Sequence, residues 1–350
     1  MKYKTIQLKD VADVVMGQSP KSNFYNTEGK GVPFLQGVRT FGENYPSIDT
    51  YTTSFNREAQ SGEILFSVRA PVGRVNWANQ RIAIGRGLAA IKVKEEYSKN
   101  YLYYLFKKIG EHLDSLASGT VFTSINKKEL GELRLKIPVD LANQEKVANY
   151  LKKLDNKIEV NTQINDNLAS IKTTLFNNIF GSHLEEKPNG TIQDIAKIKT
   201  GKRPNKKYDK KNADAIYPII GASKIMGYTN KFLYNGSIIT TGRVGTHGIV
   251  QRYREPVWIS DNSFVLISKH EDYLFELLSH RINYNALNTG STQPLITQSN
   301  LKNVSIYVPS NEEFELFEHC TAPITSQQFQ LKIQNNVLQE IKSKLLSKYF

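Results

Sequence analysis

Leu8-Lys9-Asp10-Val11-Ala12, with Gly17 and Pro20 behind it, returns later in the chain as Ile192-Gln193-Asp194-Ile195-Ala196, with Gly201 and Pro204 behind it. The correspondence continues in order. Val32-Pro33-Phe34-Leu35 returns as Tyr217-Pro218-Ile219-Ile220, and Gly62-Glu63-Ile64-Leu65-Phe66-Ser67-Val68-Arg69 as Gly236-Ser237-Ile238-Ile239-Thr240-Thr241-Gly242-Arg243. Gly119-Thr120, Ile125, Leu130 and Pro138 return as Gly290-Ser291, Ile296, Leu301 and Pro309. Short apolar runs match by chance, but ordered matches that share glycine and proline positions do not. The chain is therefore one architecture written twice.

Each copy has two parts of different character. The first, residues 1–139 and 181–309, carries short β-branched and aromatic runs punctuated by Gly and Pro. Ile64–Val68, Ile82–Ile84, Leu88–Val93, Tyr217–Ile220, Ile238–Thr241 and Phe264–Ile267 read as strands. Tyr101–Leu116 and Tyr273–Ile282 read as amphipathic helices. The second part, residues 140–180 and 310–350, has no Gly, and its only Pro is Pro323. Ile324, Leu331, Leu338 and Leu345 fall seven apart, with Ile341 in the alternate seam; Leu154, Asn161, Leu168 and Leu175 do the same, with Val147, Leu151, Ile158 and Ile171 around them. That spacing predicts two long helices pairing as an antiparallel coiled coil, with Asn161 fixing register at a cost in stability. The alternative is that each long helix packs only on its own domain. The expected fold class is α+β: two tandem mixed α/β domains, each followed by a long helix, related by a pseudo-two-fold axis.

Composition bounds the function. Of 350 residues 39% are hydrophobic and 10% aromatic, which excludes global disorder. No apolar run approaches the ~18 residues needed to span a bilayer, and the first ten residues lack a signal-peptide core. One cysteine, Cys320, excludes a disulfide framework and a multi-thiolate metal site. A cytoplasmic protein with no membrane partner is expected. The formal charge is +13, and both halves share it: 25 basic against 18 acidic residues in 1–180, and 21 against 15 in 181–350. Two basic modules suit a regular polyanion such as duplex DNA.

At the junctions between domain and helix the chain resembles the specificity subunit of type I restriction-modification systems. Gly290-Ser291-Thr292-Gln293-Pro294-Leu295-Ile296-Thr297, then Leu301, Val304 and Val308-Pro309, resembles the family's run into its second helix. Gln144-Glu145-Lys146-Val147-Ala148, with Leu151, Leu154-Asp155 and Ile158, resembles the start of the first. Asn143, Phe314 and Glu318 depart from the family's pattern. The resemblance implies two target-recognition domains, each reading half of an asymmetric, interrupted double-stranded DNA site. It implies a non-catalytic subunit that docks two methyltransferase subunits and joins restriction/translocase subunits. S-adenosylmethionine, ATP and magnesium would then belong to those partners, with no cofactor, metal or catalytic residue in this chain. A specificity subunit of another restriction-modification type, a structural bridging protein and a nuclease with an unrecognised centre are the other readings.

Candidate DNA-binding residues follow from charge and from comparing the copies. Lys202, Arg203, Lys206 and Lys207, with Lys210 and Lys211 beyond, form the densest basic run. It is either a phosphate-binding loop or a solvated one; in a DNA-reading domain the former is expected. The equivalent stretch of the first domain carries only Lys21. Arg69 and Arg243 recur in both copies, which suits shared scaffold or phosphate contact. Base readers are expected where the copies differ: Gln36, Arg39 and Thr40 against Gly221, Ser223 and Lys224, and Arg74 and Asn76 against His247 and Gln251. Arg forks suit guanine, worth ~1–3 kcal/mol of discrimination each, which makes Arg39, Arg69, Arg74, Arg81 and Arg86, with Arg243, Arg252 and Arg254, candidates; ion pairing to a nearby carboxylate is the competing use. Thr120-Val121-Phe122-Thr123 and Ser291-Thr292-Gln293 either touch DNA or cap the strand leading to the helix, and capping is expected. Gly85-Arg86-Gly87-Leu88-Ala89-Ala90 spells a dinucleotide loop, but Ile91-Lys92-Val93 continues as strand where that fingerprint needs a helix. The six histidines show no metal-ligand spacing.

Overall fold

The computed structural model describes residues 1–116, 124–185, 187–290 and 293–350. The chain forms two compact units, Met1–Val160 with Gln334–Phe350, and Asn161–Ile333. Among the described residues no helix is long and apolar enough to cross a membrane.

In the first unit, Leu8–Val11 forms one helical turn and Ala12–Met16 a strand. Leu8 and Val11 are buried, which is why the apolar pair brackets two polar residues. The strand pairs antiparallel with Leu88–Val93; that pairs with Ile64–Ser67, and Ile64–Ser67 with Val75–Trp77. A second sheet of five short strands includes Val32–Leu35 and Ile82–Ile84, which run parallel with Leu35 beside Ile84. Tyr3–Gln7 pairs with Arg134–Pro138, and Pro138 ends the ladder opposite Tyr3. Helix Lys99–Leu116 lays Tyr101, Leu102, Leu105 and Phe106 on Ile64, Phe66, Ala89 and Ile91, and Val147, Ala148, Leu151 and Leu346 of the long helices join the same core.

The second unit repeats this order. Ile192–Ile195 is a helical turn and Lys197–Thr200 a strand, followed across the sheet by Ser263–Ile267, Ile238–Gly242 and Gln251–Tyr253. Tyr217–Ile220 lies between Ile225–Thr229 and a parallel partner, Trp258–Ile259. Helix Glu271–His280 packs Tyr273, Leu274, Leu277 and Leu278 against Phe264 and Leu266, and Phe176, Phe180, Phe314 and Phe317 of the long helices complete that core.

Strand register corrects one pairing inferred from sequence. Asn76 lies opposite Leu65, and Arg252 opposite Ile239. Leu65 and Ile239 each stand three residues beyond the repeated glycine, so Asn76 corresponds to Arg252 and Gln251 to Val75. The connection between these two strands is longer in the second copy, which shifts the equivalence from that of a simple count along the chain.

Two helices, Leu141–Phe180 of 40 residues and Asn311–Tyr349 of 39, run through the units. In the first unit Asp155 meets Lys342 at 2.6 Å and the Ile158 carbonyl accepts from Asn335 at 3.5 Å. In the second, the Asn165 carbonyl accepts from Gln328 at 3.3 Å and Lys172 donates to Thr325 at 2.9 Å. Partner numbers fall as helix numbers rise, so the pairing is antiparallel in each unit. Asn161 and Leu331 are buried at the seam as their spacing predicts. Ile171 and Ile341 are not: they are 48% and 42% exposed, while the adjacent Lys172 and Lys342 are 2% and 7% exposed. Buried charge displaces the expected isoleucines because each lysine finds a carboxylate there.

Candidate nucleic-acid interface

Three loops meet at one end of the two larger sheets in the first unit. Gly17 N–H donates to the Leu88 carbonyl at 2.8 Å, Gln18 N–H to Ile84 at 2.9 Å, and Gly85 N–H to Leu35 at 2.8 Å. A Cβ on Gly17 would lie 2.2 Å from the Gly85 carbonyl oxygen, so only glycine permits this approach. Ser19 Oγ lies 2.9 and 2.8 Å from the two polar atoms of the Gln36 amide and accepts from the Arg86 N–H at 3.2 Å. Beside it, Gln36, Arg39 and Thr40 line a groove of 190 Å³ floored by Tyr25 and Phe34, whose rings stack at 4.7 Å. Arg39 is committed there to Asp49 through two contacts of 2.8 Å. Lys21 is exposed on the first of the three loops.

The remaining first-domain candidates lie elsewhere. Arg74 is exposed beside a separate groove of 660 Å³, with Glu43, Lys107, Lys108 and Lys342. Asn76 also borders it but is 1% exposed, and its amide accepts from the Gly42 N–H and donates to the Gly42 carbonyl. It holds the 42–44 loop and presents no free edge. Arg69 is exposed, next to a backbone bridge with Ser124.

The second unit builds the same frame. Gly201 N–H donates to Ser263 at 3.0 Å, Lys202 N–H to Ile259 at 2.9 Å and Ser260 N–H to Ile220 at 2.9 Å. A Cβ on Gly201 would lie 2.1 Å from the Ser260 carbonyl oxygen. The basic loop leaves this frame with its root pinned, since the Trp258 indole donates to the Lys202 carbonyl at 2.6 Å. Tyr208 and Tyr228 exchange backbone hydrogen bonds at its far side. Lys202, Arg203, Lys206 and Lys207 are all exposed, as is Lys224, while Ser223 is half-buried in the Gly221–Lys224 turn. Arg203 Nε lies 3.7 Å from Asp261 Oδ2. Arg243 is half-buried and donates to the Asp261 carbonyl at 3.3 Å, so it supports that loop. His247 and Gln251 are half-buried. Ser19 and Asp261 were not singled out from sequence, although the repeated Gly-x-x-Pro already aligns Ser19 with Arg203. Residues 119–123, 291 and 292, expected to cap or to touch DNA, lie outside the described residues.

Buried charge fixes each domain to its helices. In the second unit Asp272 accepts from Lys172 at 2.8 Å, Arg252 at 2.6 Å, Thr325 at 2.6 Å and Thr321 at 3.1 Å. Burial alone would raise the Asp272 carboxyl, but Arg252 and Lys172 outweigh it and hold it well below the usual carboxylate range. In the first unit Lys342 joins Asp155 at 2.6 Å, and Tyr104 donates to the same carboxylate at 2.7 Å. The two departures in the second helix also acquire a reason. Glu318 accepts from the backbone N–H groups of Asp272 and Tyr273, capping helix Glu271–His280, while Phe314 stacks on His270 at 3.6 Å. In the first unit Gln144 instead holds the residue that precedes the equivalent helix, accepting from Ser98 N–H at 2.9 Å, while Ser98 Oγ accepts from Tyr101 N–H. Burial pushes the Glu318 carboxyl up to about 7.

The family model for the type I restriction modification DNA specificity domain matches residues 1–170 and again 185–348. The chain belongs to this specificity family. It is 40% identical over 165 residues to a putative type I restriction enzyme MjaX specificity subunit of Methanocaldococcus jannaschii, covering 47% of this chain and 39% of that protein. Over 185 residues it is 27% identical to the type I restriction enzyme MjaIX specificity subunit of the same organism, covering 50% and 43%. It thus spans about two fifths of the length of these curated relatives. The crystal structure of the S subunit of a type I restriction-modification system from M. genitalium matches 100% of this chain and 96% of its own, with a TM-score of 0.65 at 18% identity, and shares the fold. The frame of backbone hydrogen bonds described above is common to the two halves of this member of the family.

Proposed function

We propose that this chain is the DNA-specificity subunit of a type I restriction-modification complex, non-catalytic in itself, reading a bipartite asymmetric site with its two domains. The observation that carries the reading is the specificity-domain match to both halves of a chain whose two loop frames share a backbone but present different polar side chains. Identical halves would suit a palindrome; different tips on equal frames suit two different half-sites. The exposed cations Lys202, Lys206 and Lys207, and Lys21 in the first domain, supply phosphate contacts that position without specifying. A purely structural bridge gives no reason for that difference.

In this reading the chain assembles with two methyltransferase subunits and with restriction/translocase subunits, and it acts in the cytoplasm on the host's DNA. S-adenosylmethionine, ATP and magnesium serve those partners, and this chain binds none of them. Methylome sequencing of the host with and without the chain tests it. Loss of one interrupted adenine-methylation motif on deletion is expected. A motif that persists without the chain refutes the proposal.

A further inference from the structure

The proposal above leaves open which side chains tell one base from another. Resting on it, we propose that discrimination is exerted from three backbone-equivalent positions in each domain: Ser19, Gln36 and Arg86 in the first, and Arg203, Gly221 and Asp261 in the second.

The equivalence is set by hydrogen bonding. The first position is two residues beyond the close-packed glycine, Gly17 or Gly201; the residue between them donates to Ile84 or Ile259. The second follows the strand end Leu35 or Ile220, and the third follows Gly85 or Ser260, whose N–H groups donate to Leu35 and Ile220. Parallel pairing of Leu35 with Ile84 and Ile220 with Ile259 brings the second and third positions to the same sheet end. A frame this constrained holds the backbone of the two copies alike, so what differs at the tips is chemistry.

That chemistry is arranged for recognition. Ser19 Oγ tethers the Gln36 carboxamide and is itself fixed by the Arg86 N–H. Ser19 Oγ thereby bridges the oxygen and nitrogen edge of the exposed amide, the same edge a glutamine offers to the N7 and N6 of adenine, so a bound base takes the place of this tether. Arg86 stands exposed beside it with the fork that suits guanine. In the second domain the middle position has no side chain, and a Cβ on Gly221 would meet Met226 Sδ at 2.6 Å. Arg203, its side chain 85% exposed, approaches Asp261 through Nε, which leaves the two terminal nitrogens for a guanine edge. Asp261 is in turn held by Arg243 through its carbonyl. The first domain therefore reads through an amide and a guanidinium, the second through an aimed guanidinium.

The test is binding-site selection with the purified full chain on a random duplex library, comparing wild type with Gln36→Glu, Arg86→Met and Arg203→Gln. All three positions are exposed and the first change is isosteric; circular dichroism checks the fold. Wild type is expected to enrich a bipartite motif. Gln36→Glu, which cannot donate, replaces or loses adenine at one position of one half-site, and Arg203→Gln loses guanine in the other half-site only. Affinity for the wild-type site falls about 10- to 100-fold in each case, the size expected for one bidentate base contact, while non-specific binding stays level. If folded variants enrich the complete wild-type motif, or one substitution alters both halves, the assignment is wrong although the specificity function stands. If wild type enriches no motif, the function itself fails and the assignment falls with it.

Discussion

Replacing Asp272 by asparagine removes the charge on which the second unit's buried node depends. The carboxylate accepts from four donors, two of them cationic, and the side chains of Lys172 and Arg252 are only 2% and 7% exposed. Breaking a buried pair by removing one partner costs about 3–5 kcal/mol because the other charge remains desolvated. Here Glu276 lies 3.8 Å from Lys172 and Glu271 3.3 Å from Arg252, so some compensation persists. The expected loss is therefore about 3 kcal/mol, the lower end of that range. Amide hydrogen exchange in helix Glu271–His280 at pH 7 is expected to quicken by about 100-fold in Asp272→Asn. Lys172→Met combined with it is expected to cost less than the two single changes together, since they share one interaction. The pH dependence has a definite sign. A carboxyl held below its unfolded value stabilises above about pH 4, and that contribution decays as pH falls through the folded value. A change in exchange below about fivefold, or strict additivity of the two substitutions, refutes the view that this node fastens the domain to its helices.

Two further outcomes are expected. Glu318 has the opposite sign: raised to about 7, its stabilising balance is full below the ordinary glutamate value and is lost as pH rises toward 7. Glu318→Gln keeps an acceptor for Asp272 and Tyr273, so thermal melts should show it more stable than wild type by about 1–2 kcal/mol above pH 7 and level with it near pH 4; parallel curves across that range would contradict this. Lys206→Ala with Lys207→Ala should weaken binding to all duplexes alike and lower the slope of log affinity against log salt by about 2; a changed sequence preference would instead make these lysines readers.

The duplication, the strands of the sheets and the two long helices were legible in the residues because each rests on local pattern. Ile64–Ser67, Leu88–Val93 and Tyr217–Ile220 are apolar runs between turn residues, and the long helices lack glycine across some forty positions. The run after Gly85-Arg86-Gly87 is indeed strand, as Ile91-Lys92-Val93 suggested. Which face of a long helix is buried was less legible. A lysine next to an isoleucine reads as the exposed member, yet Lys172 is inside because Asp272, one hundred residues away, waits there. Asn76 likewise reads as a polar tip, and only the fold reveals Gly42 closing both ends of its amide.

The sequence by itself determined that this protein is two copies of one α+β domain, each followed by a long helix, since periodicity and repeated Gly and Pro positions need no knowledge of distant neighbours. Tertiary structure alone decided which charges are buried and which polar tips converge. Ser19, Gln36 and Arg86 are separated by up to 67 residues, and only strand pairing and the close approach at Gly17 bring them within hydrogen-bonding distance. A desolvated charge or a shared hydroxyl is a property of the pair, and one member's place in the chain does not name the other.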